Sequence, residues 1–180
     1  MYVRDDISSS LVQPDIDKCS SIDDLWIKIQ IRKLPSIVLG TVYRHPHALS
    51  ASFDYLLDVL SHMCLANKPL FIVGDLNDDL LKHNAKLHTI IRACNMSQMI
   101  NSPTRITENS STLLDVIITN KPNMIVSSEV MPSPVADHEH ISATLNLSKP
   151  KKIPEKKTYC SLCNYSPGVL CNLLLDIIPH

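Results

Sequence analysis

Asp75 and Asn77 stand two residues apart at the end of an apolar run, in the stretch Phe71-Ile72-Val73-Gly74-Asp75-Leu76-Asn77-Asp78-Asp79. The run reads as a buried strand delivering side chains to its exposed C-terminal end. Alternation then turns Asp75 and Asn77 to one side and Leu76 to the other. A carboxylate accepts a proton or holds a metal, and an amide NH2 donates to an oxygen that is gaining negative charge. Two plainer readings compete. A Ca2+ loop of the D-x-N-x-D type would use Asp75, Asn77 and Asp79 at positions one, three and five. It fails, because Leu80 stands where that loop needs Gly and Lys86 where it needs a bidentate Glu. An acidic turn capping the next helix accounts for the stretch as well as a catalytic site does, so the rest of the chain has to decide.

Asp115 is the second informative residue. It interrupts Leu113-Leu114-Asp115-Val116-Ile117-Ile118, where a doubly buried strand would bury its charge, and an isolated buried carboxylate costs several kcal/mol. It therefore needs a donor. Asp137-His138, in a loop before the last alternating strand, offers one. A His ring held by a buried Asp is oriented and can donate to a non-bridging phosphate oxygen. With eight His in the chain, any single one is more readily a surface residue. The set Asp75, Asn77, Asp115, Asp137 and His138 carries more weight, since a scaffold gains nothing from these residues at strand ends and interiors.

The elements that must position this set follow from periodicity. Met1 to Arg4 reads as the tail of a strand, and Asp5 to Ser21 as polar chain with little to bury. Leu25, Ile27, Ile29 and Ile31 alternate with Trp26, Lys28 and Gln30, which predicts a half-buried strand. Ser36 to Tyr43 reads as its hairpin partner. Ser50 or Ser52 can cap a helix carrying Phe53, Leu56, Leu57, Leu60 and Cys64 on one face. The 70–73 strand and the acidic turn come next, then a helix with Leu87, Ile90, Ile91 and Cys94 inward. Short strands follow at Met99-Ile100, Thr104 to Ile106, Leu113 to Thr119 and Met124 to Val130, and a last one turns Ile141, Ala143, Leu145 and Leu147 in. Strands outnumber helices in an order that is not a strict βαβ alternation, which predicts an α/β fold of sheets packed on each other with helices outside, not a doubly wound parallel sheet.

Composition bounds the rest. The 180 residues, 44% hydrophobic, suffice for one domain with a core. A net charge of -1 gives no global attraction to nucleic acid or membrane, so any basic surface is local. The one locally basic segment, 149–157, holds five lysines and reads as a solvated linker. A helix with Leu170, Cys171 and Leu174 on its face is predicted after Ser166-Pro167. No apolar run is long enough for a bilayer, and residues 1–20 lack a signal peptide's features. Six cysteines in a chain able to build a core point to a reducing compartment. A zinc module from Cys160, Cys163, Cys171 and His180 rests on one CxxC and is weak.

Taken together, Tyr43-Arg44-His45-Pro46, Gly74-Asp75-Leu76-Asn77, Ser102-Pro103-Thr104-Arg105, the 111–120 stretch Ser-Thr-Leu-Leu-Asp-Val-Ile-Ile-Thr-Asn and Ala136-Asp137-His138 resemble the endonuclease/exonuclease/phosphatase superfamily. The resemblance covers about residues 1–148, with 149–157 a linker and 158–180 a connector, and is strongest to the endonuclease domain of non-LTR (LINE-type) retrotransposons. It implies a four-layer α-β-β-α sandwich like that of deoxyribonuclease I. It implies a Mg2+- or Mn2+-dependent phosphodiesterase that nicks DNA, works beside a reverse transcriptase in the same polyprotein and acts inside the cell, in the nucleus.

By this resemblance Asp75 is the general base, Asn77 orients the attack and stabilises the phosphorane, and Tyr43 contacts the scissile phosphate. Asp115 orients His138, which binds phosphate, and Asp137 helps to hold the metal, while Thr104 and Ser111 add phosphate contacts. The family also carries an Asn and a metal-binding Glu ahead of the strand that Tyr2-Val3-Arg4 would end. Neither is in these 180 residues, which predicts a truncated domain with little or no activity alone. The alternative is a non-catalytic retroelement fragment that at most binds nucleic acid through its lysines.

Overall fold

In this computed structural model, residues 1–31, 34–134 and 136–147 are described. They form β1 (Ser8–Val12), β2 (Ile22–Gln30), β3 (Ile37–Arg44), α1 (Ala51–Leu65), β4 (Leu70–Asp75), α2 (Lys86–Ala93), β5 (Ser97–Gln98), β6 (Arg105–Thr107), β7 (Ser110–Thr112), β8 (Asp115–Thr119), β9 (Ile125–Met131) and β10 (His140–Leu145). Six strands join in one mixed sheet of order β1-β2-β3-β4-β8-β5, while β9 pairs with β10 and β6 with β7. Only β3 and β4 run parallel in the large sheet, because only they are joined by a crossover helix, α1. The chain divides into units 1–150 and 151–180. The lysine segment, the connector helix and the cysteine cluster expected from the sequence lie outside the described residues.

The large sheet is covered on both faces, which is why its central strands read as apolar runs rather than clean alternations. One face packs Ile22, Trp26, Val42 and Ile72 against Leu56, Val59 and Leu60 of α1 and Leu87 and Ile90 of α2. The other gathers Ile31, Ile37 and Phe71 with Ile125 and Leu145 of the β9–β10 pair. Full burial of each such side chain stabilises by about 1.5–3 kcal/mol. Helices, large sheet and second sheet are three layers of the expected sandwich. Among the described residues no α-helix covers the outer face of β9 and β10, and no helix is long and apolar enough to cross a membrane.

Two glycines let neighbouring strands of the large sheet approach closely. A Cβ on Gly40 would lie 2.2 Å from the Trp26 ring, and one on Gly74 only 1.8 Å from the Val42 carbonyl oxygen. The second close approach draws the end of β4 onto β3, where the candidate site lies.

Three expectations need adjustment. Residues 1–4 form no strand; the first strand is Ser8–Val12, inside the polar stretch, as a mostly exposed sheet edge that needs backbone hydrogen bonds more than apolar side chains. In β2, Trp26 is inward and Leu25 exposed, because Gly40 opens a slot for the indole on the helix side. In β10, Ala143 is exposed rather than inward, as β9 and β10 are a ribbon with incomplete cover.

Candidate active site

Asp75 closes β4, Asp115 opens β8, and their antiparallel register sets the two directly opposite each other. On the other side β3 runs parallel to β4 with Thr41 beside Val73. Two residues further along each strand come Tyr43 and Asp75, so the pleat carries Tyr43, Asp75 and Asp115 in one row. The Tyr43 ring is 42% exposed and tilts against His45 at 5.3 Å.

His138 meets the row from the loop before β10. Its Nδ1 lies 2.9 Å from Asp115 Oδ2. Backbone bonds stitch that loop to β6: Glu139 N–H donates to Thr104 O at 2.7 Å and Ile106 N–H to Asp137 O at 3.0 Å. Thr104 holds Asp115 from behind. Its Oγ1 accepts the N–H groups of Leu114 at 3.1 Å and Asp115 at 2.9 Å. Thr104 has no exposed surface, so the expected phosphate contact is replaced by a positioning role.

Asn77 adopts φ 46, a left-handed conformation that Asn tolerates better than most residues. Its N–H donates to Asp75 Oδ1 at 2.9 Å in an Asx turn. Its side-chain Nδ2 donates to Arg44 O at 2.8 Å and reaches Asp75 Oδ2 at 3.3 Å. The capping that competed with a catalytic reading of this turn falls to its neighbours. Asp78 Oδ2 accepts Leu87 N–H at the start of α2, and Asp79 Oδ1 accepts Leu113 N–H ahead of β8. Asp75 is thereby left to face Asp115.

Arg44 organises the turn and was missed in the sequence as more than a motif letter. It is 5% exposed and donates to Ser52 Oγ at 2.8 Å, to Ala48 O at 2.7 Å and, at 3.4 Å, to Leu76 O and Asn77 O. Its guanidinium lies 4.1 Å from the centre of the Phe53 ring. A signal was present, since alternation places Arg44 on the inward face with Val38, Gly40 and Val42. Burial lowers the proton affinity of this guanidinium, yet an Arg stays charged in a protein, so a fixed positive charge sits under the turn.

Two expected residues stand apart. Asp137 Oδ2 accepts from Arg105 Nε at 2.8 Å, and that hydrogen bond holds its carboxyl below the usual range. Its carboxylate is paired through Oδ2 with Arg105, and Asp137 is not among the three residues whose ligand atoms converge. Ser111 is exposed on β7 opposite Ile106, on a hairpin rather than in the row.

The cluster that could take a cation comprises Asp75, Asp115 and His138, with one ligand atom from each within 4.8 Å of the others. Burial raises the Asp75 carboxyl above its ordinary range; the Asn77 N–H opposes this and the Asp115 charge adds to it. Two carboxylates facing each other across adjacent strands repel, and a divalent cation relieves that repulsion. The hard oxygen donors suit Mg2+ or Mn2+. The residues present fit such an ion.

No family model and no curated protein sequence matches the chain. Solved structures do. The endonuclease domain of TRAS1, a telomere-specific non-LTR retrotransposon, superposes with a TM-score of 0.55 at 16% identity, over 76% of this chain and 65% of that one. A mannosyl-6-phosphatase of Bacteroides thetaiotaomicron gives 0.53 at 13% identity, over 69% and 57%. An endonuclease/exonuclease/phosphatase family protein from Leptotrichia buccalis gives 0.50 at 14%, over 81% and 74%. The chain thus spans less than two thirds of the first two. At these identities the likeness establishes architecture: the fold of this chain is that of the endonuclease/exonuclease/phosphatase proteins.

Proposed function

We propose that this chain is the larger part of a metal-dependent DNA endonuclease domain that hydrolyses a phosphodiester bond and nicks target DNA for retrotransposition. The observation that carries the reading is the convergence of Asp75, Asn77, Asp115 and His138 at one end of the sheet from three separate segments. A fold shared by nucleases and a phosphatase does not choose a reaction by itself, whereas the site chemistry narrows it to hydrolysis at phosphorus.

Each residue has a task. Asp75, its proton affinity raised by burial, takes the proton of the attacking water, because a base works best when its pKa moves toward the working pH. The Asn77 amide is held by one N–H on Arg44 O at 2.8 Å, and its second N–H, now on Asp75 Oδ2 at the longer 3.3 Å, turns to the oxygen that gains charge. Asp115 fixes the His138 ring through Nδ1, leaving Nε2 for a phosphate oxygen. Tyr43 supplies a hydroxyl from the same row. A Mg2+ or Mn2+ held by the facing Asp75 and Asp115 carboxylates would supply neutralisation of the phosphate and the leaving oxygen.

The test is nicking of supercoiled plasmid with Mg2+ by the chain extended with its in-frame upstream residues. Metal-dependent nicking that disappears in Asp75→Ala supports the reading. No cleavage by the extended chain, or equal cleavage after Asp75→Ala, overturns it.

A further inference from the structure

Beside Asn77 a cleft of about 570 Å3 opens between the start of α1, the acidic turn, the approach to α2 and the base of the β6–β7 hairpin. Arg44, Lys82, Lys86 and Arg105 line it against two carboxylates, Asp78 and Asp79. Both carboxylates already accept backbone N–H groups. Positive charge is therefore in surplus.

The cations are also unevenly paired. Among the described residues the acidic partner of Lys82 is Asp79, at 3.7 Å, beyond hydrogen-bond length, so its N–H groups can donate to a ligand. Among the described residues Lys86 has no acidic partner, and its Nζ sits 5.6 Å from the centre of the Phe53 ring. That ring also carries the Arg44 guanidinium at 4.1 Å. Two cations drawn to one aromatic ring repel each other, and an anion in the cleft relieves that repulsion. Arg105, at the far side, is bound to Asp137 and bridges by its backbone to His138.

We infer that this cleft seats the backbone phosphates flanking the scissile one on a DNA strand, with Lys82 and Lys86 as the side chains that hold them. The inference rests on the nuclease reading and adds to it the place where the rest of the DNA strand is held. A small phosphomonoester brings a single phosphate, which the Asp75–His138 end uses up, and leaves the cleft unmatched. A polynucleotide necessarily presents further phosphates alongside, and phosphate contacts of this kind fix register without reading sequence.

The experiment measures anisotropy of a labelled DNA duplex bound by the full chain, in EDTA, over a series of salt concentrations. Lys82→Gln with Lys86→Gln should lower the slope of log affinity against log salt by about two, roughly 0.9 for each phosphate that is no longer neutralised. The Lys→Arg pair should keep the slope, free mannose 6-phosphate should not displace the duplex, and melting temperatures should be unchanged because both side chains are exposed. An unchanged slope, displacement by mannose 6-phosphate, absence of duplex binding, or a slope that falls only when the five lysines of 149–157 are replaced overturns the inference. Nicking by the extended chain separates the two ideas. Intact nicking with an unchanged slope removes the cleft alone, and a lowered slope without nicking removes catalysis alone.

Discussion

Two histidine–aspartate pairs stand near strand ends, with nearly equal lengths and different surroundings. His138 and Asp115 meet at 2.9 Å with side chains 33% and 16% exposed, and His45 and Asp23 meet at 3.0 Å with side chains 46% and 72% exposed. The first aspartate has its own N–H fixed by buried Thr104, faces Asp75 across the sheet and belongs to the cluster able to hold a cation. The second, on β2, faces Tyr43 of β3 and is largely exposed. The contrast teaches that proximity alone does not make a site. Shielding, and a framework that sets each partner before they meet, separates a pair that can work from one that is surface decoration.

The largest separation is expected in catalysis. In the extended nuclease proposed above, Asp75→Ala should lower plasmid nicking about 10^2–10^4-fold, the range for loss of a general base. Asp115→Asn should lower it about 10–100-fold, as for loss of a partner that orients a working His. Asp23→Asn should leave the rate unchanged. Equal losses at positions 115 and 23 would erase the distinction drawn between the two pairs.

Next in size is the framework. Thr104→Val removes the oxygen that accepts two buried N–H groups, with a cost of about 1–3 kcal/mol for an unsatisfied buried group. Urea denaturation should show this loss, and chemical shifts of His138 should move with it. Among the described residues no side-chain hydrogen bond holds the backbone of Asp23 in the way that Thr104 holds Asp115.

A smaller effect concerns pH. Asp75 has its carboxyl raised above its ordinary value of 3.8 in the folded chain, so the folded state holds the proton more tightly than the unfolded one. That contribution to stability is fully present below the ordinary value and is lost as pH rises through the raised one. Without metal, Asp75→Asn should therefore be more stable than the parent at pH 7. The gain should shrink in acid and vanish below the ordinary carboxylate range, as thermal melts across pH in EDTA would record. A variant that is less stable at every pH would show instead that the Asp75 charge is favourable where it stands.

The smallest effect belongs to the exposed pair. A double-mutant cycle with Asp23→Ala and His45→Ala, run where the histidine is protonated, should give a coupling of about 0.2–1 kcal/mol that fades with added salt. A larger coupling, insensitive to salt, would mean that this pair too is built in.

Much of the architecture is legible in local patterns. The β2–β3 hairpin and both helices follow from alternation and three-four spacing, because those patterns record which face is dry. They mislead where burial is shared or absent. Trp26 breaks the expected alternation because Gly40 makes room for it, and β1 was unreadable because an exposed edge asks little of its side chains.

The sequence by itself determined the chemistry available: carboxylates, an amide and an imidazole of types suited to hydrolysis at phosphorus, at the ends of elements whose periodicity is legible. Only the tertiary structure decided which of them meet. Asp75 opposes Asp115 through strand register, His138 reaches Asp115 through bonds to β6, and Asp137 is drawn off by Arg105. Thr104 becomes a support and Arg44 a clamp because each is buried, and a buried polar group must find its partners inside the fold. Spacing along a chain carries no record of such long-range pairings; they are fixed when sheet, turn and loop pack together.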